Sequence, residues 1–286
     1  MRNTTIHPQK RRSLIRVPAP IITIVLLTAV ITTGAMLLSC RYSTISQNDK
    51  TPKSATEYGL ECPAASPDEH IVEYDGFTVS YNHTTLVPDW VAYQLTAKEL
   101  EPVYTNKSSN FSRDPNLKGR QASREDYSRS GWDKGHMAPK ADLRWSEAAY
   151  WQSHYFTNVC PQNPTLNGRD WNKLEESIRR WAKKYGDVYI VCGPLFHSAG
   201  YRTIGAAKVA IPDAFFKAVL VANNTASEAI AFVFNNDDSH QPPIKQAMTV
   251  DSLETILSRD LFPKLDDETE VRVEASMNLP FWFTNN

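Results

Sequence analysis

Cysteine is scarce, with four in 286 residues, and no Cys-x-x-Cys pair or cysteine–histidine spacing of the kind that holds zinc. A small disulfide scaffold and a zinc module are both excluded on that ground. Net charge is almost absent at −1, so the chain lacks the global basic excess of proteins that coat nucleic acid. Internal repeats are missing, which removes solenoids and propellers. There is also no dense run of carboxylates, as a zinc- or calcium-dependent phosphoesterase acting on a small substrate would want. What remains is a chain with 41% hydrophobic residues, enough to bury a sizeable core as one large domain or two small ones.

Long apolar runs are equally few. One stands out at residues 21–38, 18 residues without a charge, preceded by Arg2, Lys10, Arg11, Arg12 and Arg16. A positive leader before such a run is a targeting segment, and its length is at the lower limit for a helix that spans a bilayer. It is followed by Leu37-Leu38-Ser39-Cys40, which resembles the box cut before a lipidated cysteine in bacterial lipoproteins. Residues 1–40 are therefore read as a signal peptide or membrane anchor. Two forms stay open, a lipoprotein acylated at Cys40 and an uncleaved single-pass signal-anchor. Both leave the positive flank in the cytoplasm and export the remainder in a membrane-attached state. Residues 41–70, rich in Ser, Thr, Pro, Asn and Lys, read as a flexible tether, and residues 71–286 as the folded domain.

Within that domain, residues 77–81 alternate like a half-buried strand and residues 90–95 offer another. Residues 105–130 are polar and read as a long surface loop. A short helix is expected within 142–155 and a strand at 155–159. Trp171, Leu174, Ile178, Trp181 and Tyr185 recur at steps of three and four, one apolar stripe on a helix of about sixteen residues that Gly186 stops. The run 188–192, closed by Gly193-Pro194, reads as a central strand, and strands are also expected at 209–212, 215–221 and 229–234. Thr249 or Asp251 would cap a last helix packed through Leu253, Ile256 and Leu257. Cys160 and Cys192 each end an apolar run and are read as buried free thiols, with a bridge between them as the alternative. The predicted class is α+β, with a mixed or antiparallel sheet core.

Chemistry concentrates between residues 130 and 175. Lys and Arg number 15 against 10 Asp and Glu over residues 101–185, so a local basic excess surrounds Ser130-Gly131-Trp132-Asp133-Lys134-Gly135-His136-Met137-Ala138-Pro139. His136 follows a glycine that leaves room for close approach of a backbone. Asp133 or a neighbouring carbonyl could fix its tautomer for use as a general base. Asn167 stands before the amphipathic helix, where its ordinary role would be an N-cap. Its amide oxygen also suits Mg²⁺, which takes oxygen ligands and keeps several of its waters. Glu175, about two turns on, could reach such water, or could face solvent as Glu176 should.

These blocks, with Thr157-Asn158-Val159-Cys160-Pro161-Gln162, Trp171-Asn172-Lys173-Leu174-Glu175, Cys192-Gly193-Pro194 and Ile211-Pro212-Asp213-Ala214-Phe215-Phe216-Lys217, resemble in order and spacing the DNA/RNA non-specific endonuclease family. The resemblance covers roughly residues 72–265. It implies a ββα-metal finger and a Mg²⁺ cofactor, with Mn²⁺ as the alternative ion. It also implies DNA and RNA as substrates, cut with little sequence preference to leave 5′-phosphate ends. His136 matches the general base, Asn167 the metal ligand, Glu175 the water-bridged acid, and Lys134 and Asn158 the substrate-binding positions. One departure is Lys134, where the family's arginine would grip a phosphate with a fork rather than a point charge. A second phosphate-binding cation, Arg113 or Lys107, has no secure match. An exported binding module without catalysis is the rival reading, and a homodimer is left open.

Overall fold

The computed structural model describes residues 59–64, 66–105, 110–197 and 200–284. The basic leader, the apolar run, Cys40 and the first part of the tether lie outside these residues. Among the described residues no helix is long and apolar enough to cross a membrane.

Seven strands make one antiparallel sheet. They are β1 (Ile71–Glu73), β2 (Thr78–Asn82), β3 (Val87–Leu95), β6 (Val188–Leu195), β9 (Ala214–Ala222), β10 (Ser227–Asn235) and β11 (Ala247–Met248), adjacent in that order. Two short ribbons stand beside it, β4 (Asp133–His136) with β5 (Val159–Gln162) and β7 (Thr203–Ile204) with β8 (Val209–Ala210). The helices are α1 (Arg124–Tyr127), α2 (Glu147–Gln152), α3 (Pro164–Leu166), α4 (Asn172–Tyr185), α5 (Pro243–Gln246), α6 (Val250–Leu257), α7 (Asp267–Glu274) and α8 (Leu279–Phe283).

Both faces of the sheet are covered, which explains why its central strands read as continuous apolar runs rather than alternating ones. On β9, Phe215, Val219 and Val221 enter the core shared with α4, where Leu174, Ile178 and Trp181 lie. Phe216, Ala218 and Leu220 point the other way, into a second core closed by Val250 and Leu253 of α6 and Val273 of α7. The apolar stripe thus places α4 against one face, and Gly186 ends the helix at φ +92, a conformation open to glycine.

Several expectations change. Residues 155–159 are not a strand: a 3₁₀ turn, Phe156–Asn158, delivers the chain into β5. The strand at 188–192 runs on through Gly193-Pro194, since these pair with Phe216 and Phe215 of β9. The stretch 105–130 carries α1 and buries Phe111, Asp114, Leu117, Gln121 and Tyr127, with the Gln121 amide tying Asp114 and Leu117 together. The tether ends before residue 70, because Cys62 is buried and the Ala64 N–H donates to Asp260 O at 2.8 Å. Thr249, not Asp251, caps α6, Ile256 is half exposed, and α7 and α8 follow where a last helix was expected. Cys62, Cys160 and Cys192 are buried free thiols.

Gly193 is required by close packing: a Cβ there would lie 2.6 Å from the Asp89 carbonyl and 2.9 Å from the Phe216 ring. Gly168 has nothing within 4 Å of such an atom. Gly193→Ala is expected to lower the unfolding free energy by about 1–3 kcal/mol. Gly168→Ala should leave it unchanged or raise it by up to about 1 kcal/mol. Urea titrations of the two variants check the opposed signs.

Candidate active site

The site is built on β4, β5 and the helix that follows. Antiparallel register sets Asp133 against Gln162, Gly135 against Cys160 and His136 against Val159. A Cβ on Gly135 would come 2.6 Å from Gln162 Cβ, so the glycine makes room for a side chain rather than for the backbone expected there. Beyond β5, the Asn163 side chain accepts from the N–H groups of Thr165 and Leu166 and caps the helical path. That path runs through α3, a π-helical turn at Asn167–Trp171 and α4. Single π turns within helices occur often at functional positions.

Asn167 is consequently inside the helical path, with φ −56 and ψ −48, at the C-terminal end of α3, and Asn163 holds the N-cap position instead. Its Nδ2 donates to Asp133 Oδ2 at 2.9 Å, which turns Oδ1 into the amide atom left for a ligand. Asp133 therefore orients Asn167, not the His136 tautomer as the sequence had allowed.

His136 lies three residues along the same short strand. Its ring stands edge-on to His154 at 5.2 Å and 5.0 Å from Phe111. Its Nε2 is closed from solvent without a hydrogen-bond partner. Burial pushes the imidazole down to about 3, with His154 and Lys140 adding to the effect, so it is neutral near pH 7, the protonation state in which a general base starts. Lys134 shares its face of β4 by strand alternation, and its Nζ sits 5.5 Å from the Phe111 ring centre and 5.9 Å from that of Tyr127. Exposed Arg113 follows Ser112, whose N–H donates to His154 O at 3.1 Å, while Lys107 lies outside the described residues.

Asn158 is not a substrate contact. It is fully buried, its Oδ1 accepts from Ala138 N–H at 2.9 Å, and its Nδ2 donates to the carbonyls of Ala138 and Ser153 at 2.8 and 2.9 Å. With every one of these bonds made to backbone, the amide fixes the turn after His136 and has no edge left for a phosphate.

Glu175 is buried on α4, whereas Glu176 faces solvent beside Asn172. Burial raises the Glu175 carboxyl from an ordinary 4.5 to about 7; Lys217 and Arg179 oppose this and Asp142 adds to it. These neighbours were not found from the sequence. Lys217, fully buried on β9, donates from Nζ to Met137 O at 3.3 Å and lies 4.4 Å from the Trp171 ring centre. Arg179 donates to Asp142 Oδ1 at 2.8 Å, and Tyr93 OH to Asp142 Oδ2 at 3.1 Å. Lys217 had a legible signal, a single cation in the middle of the apolar run 214–222, and Arg179 had another, four residues after Glu175 on one helix face.

Strand, strand and helix, with His136, Asn167 and Glu175 on them, constitute a unit of the ββα-metal type. Residues 61–268 match the profile of the DNA/RNA non-specific endonuclease family, and the chain belongs to that family. Mitochondrial nuclease EXOG of Xenopus laevis is 31% identical over 238 residues, 78% of this chain and 64% of the frog protein. EXOG of Danio rerio is 35% identical over 55% of this chain and 49% of its own length. The chain thus spans about half to two thirds of these relatives. Among solved structures, EndoG in its complex with EndoGI superposes with a TM-score of 0.65 at 26% identity, covering 72% of this chain and 91% of that one.

The buried charges generate a stability prediction. Lys217→Met leaves Glu175 and Asp142 short of a buried cation and should cost about 3–5 kcal/mol. Part of that loss should return when Glu175→Gln is added. In chelator, wild-type stability should fall as pH rises from 4.5 to 7, because the folded protein holds the Glu175 proton that the unfolded chain has released. Glu175→Gln should make this slope shallower, leaving the part that the raised Glu274 carboxyl contributes. Urea unfolding of the four chains across that range reads both effects.

Proposed function

We propose that this protein is a Mg²⁺-dependent endonuclease that hydrolyses phosphodiester bonds of DNA and RNA with little sequence preference, leaving 5′-phosphate ends, and that Mn²⁺ can replace Mg²⁺. The observation that carries this reading is one short strand linking a neutral, partly buried imidazole, His136, to an amide oxygen freed at Asn167 by the Asp133 hydrogen bond. Family membership supports it. An amide oxygen with carboxylates nearby is a hard, sparse donor set of the kind Mg²⁺ accepts in phosphate-handling sites. Asn167 would hold the ion, and Glu175 would accept hydrogen bonds from its water. Once bound, the ion supplies charge neutralisation at the phosphate and the departing 3′ oxygen.

The chain's own residues do the rest. His136 takes the proton of the attacking water, since it is neutral at working pH. The Asn158 clamp and the Lys217 contact to Met137 O hold the turn behind it, so the imidazole is oriented before substrate arrives. Lys134 would meet phosphate oxygens, with Arg113 or Lys107 as the candidate for a second such contact. Contacts of that kind position the backbone and read no sequence. Attack in line with the 3′ oxygen breaks the P–O3′ bond and leaves the phosphate on the 5′ side, while the departing oxygen takes a proton from water to become a 3′-hydroxyl.

The location proposed is outside the cytoplasm and attached to a membrane through residues 1–40, as a lipoprotein or a signal-anchor. Its support is the basic leader, the uncharged 18-residue run and Cys40. The similar nucleases that carry "mitochondrial" in their names make organellar import the competing outcome of a fractionation experiment.

His136→Ala is expected to reduce cleavage of plasmid DNA and of RNA by about 10²–10⁴ at unchanged circular dichroism. Chelator should abolish wild-type cleavage. Nucleic-acid binding without any metal-restored cleavage would instead assign a binding module. Lys134→Arg should keep or raise activity, because it supplies a forked donor at a position already cationic. Rates over a salt series test it, and a severe loss would show a pocket shaped around lysine.

A further inference from the structure

The sheet face opposite α4 carries a second group of acidic side chains that the proposed reaction does not use. Glu274, the last residue of α7, is 3% exposed, and its Oε1 is shut from solvent with no hydrogen-bond partner. One carboxylate oxygen each from Asp251, Glu254 and Glu274 lies within 4.8 Å of the others, which brings α6 and α7 together at this point. Glu254 Oε1 accepts from the Leu261 N–H at 2.8 Å, and Asp251 is exposed on the open side. Burial pushes the Glu274 carboxyl up to about 8, and the charges of Glu254, Glu270, Asp260 and Asp251 push it in the same direction.

A buried carboxylate without a partner, facing others of its own charge, is stable only with a proton or a cation. An all-oxygen group open on one side suits the cation. Three oxygens that all lie within 4.8 Å of one another can enter one Ca²⁺ shell, where Ca–O distances are about 2.3–2.6 Å and the geometry is flexible. The open side at Asp251 leaves room for the waters that complete such a shell. Mg²⁺ fits less well, since it demands near-ideal octahedral geometry and dehydrates reluctantly. We propose that Asp251, Glu254 and Glu274 form a structural Ca²⁺ site that ties α6 to α7, separate from the site around His136. No bond in it is made or broken.

The test is thermal unfolding of the full-length protein at pH 7.5, in chelator and over a Ca²⁺ series without Mg²⁺. Ca²⁺ at about a hundredfold excess over Kd should raise Tm by about 5–10 °C. That rise should persist in Asn167→Ala and disappear in Glu274→Gln. Asp251→Asn, at an exposed position, serves if the Glu274 variant does not fold, and should weaken the response at least tenfold in Ca²⁺ concentration. Two outcomes overturn the proposal. One is a Tm that ignores Ca²⁺ while Glu274→Gln raises it in chelator, which assigns a proton to the cluster. The other is a Ca²⁺ response that survives in the cluster variants and vanishes in Asn167→Ala, which assigns the ion to the His136 site.

Discussion

One buried amide holds the active region in place. The Asn158 side chain bonds the N–H and C=O of Ala138 and the C=O of Ser153, so the turn after His136 is locked to the end of the 3₁₀ turn before β5. A buried amide left without these partners would pay about 1–3 kcal/mol for each lost bond, so no alternative path for this turn is as stable. The pairing of β4 with β5 depends on it, and so does the position of the histidine at the ribbon's end. Asn167 joins the same assembly through Asp133 at the other end of β4.

Behind this ribbon lies a core that is not wholly apolar. Glu175, Asp142, Lys217 and Arg179 sit between α4 and the sheet, with Tyr93 completing the bonds to Asp142. Replacing such a group by hydrocarbon is often neutral or stabilising, so stability alone does not explain it. Its position does. Lys217 reaches the carbonyl of Met137, the residue after His136, and its charge offsets that of Glu175. The group transmits the rigidity of the sheet to the turn, and keeps a carboxyl near the site close to its ionisation point.

Legibility in the sequence followed the range of the interaction. Periodicity is local, so the stripe Trp171, Leu174, Ile178, Trp181 and Tyr185 gave α4, and the apolar runs gave β6, β9 and β10. His136 and Asn167 could be singled out because their blocks are short and ordered. Asn158 was found but misread: sequence marks the residue, whereas only the fold shows that its amide meets backbone on every side. Residues 155–159 looked like a strand because apolar residues in a 3₁₀ turn carry no period that separates the two. Glu254 and Glu274 stand twenty positions apart, and no run of carboxylates announces a cluster that α6 and α7 assemble in space.

The central claim is that the ribbon and helix bring a base, a cation and a phosphate to one point. A crystal structure of His136→Ala with Mg²⁺ and a short DNA duplex tests it most directly, because the duplex should remain uncut. The account predicts an ion on Asn167 Oδ1, a scissile phosphate against it, Lys134 Nζ on a phosphate oxygen, and a water in the space left by the imidazole. A duplex bound elsewhere on the protein, or an ion that leaves Asn167 untouched, would contradict it.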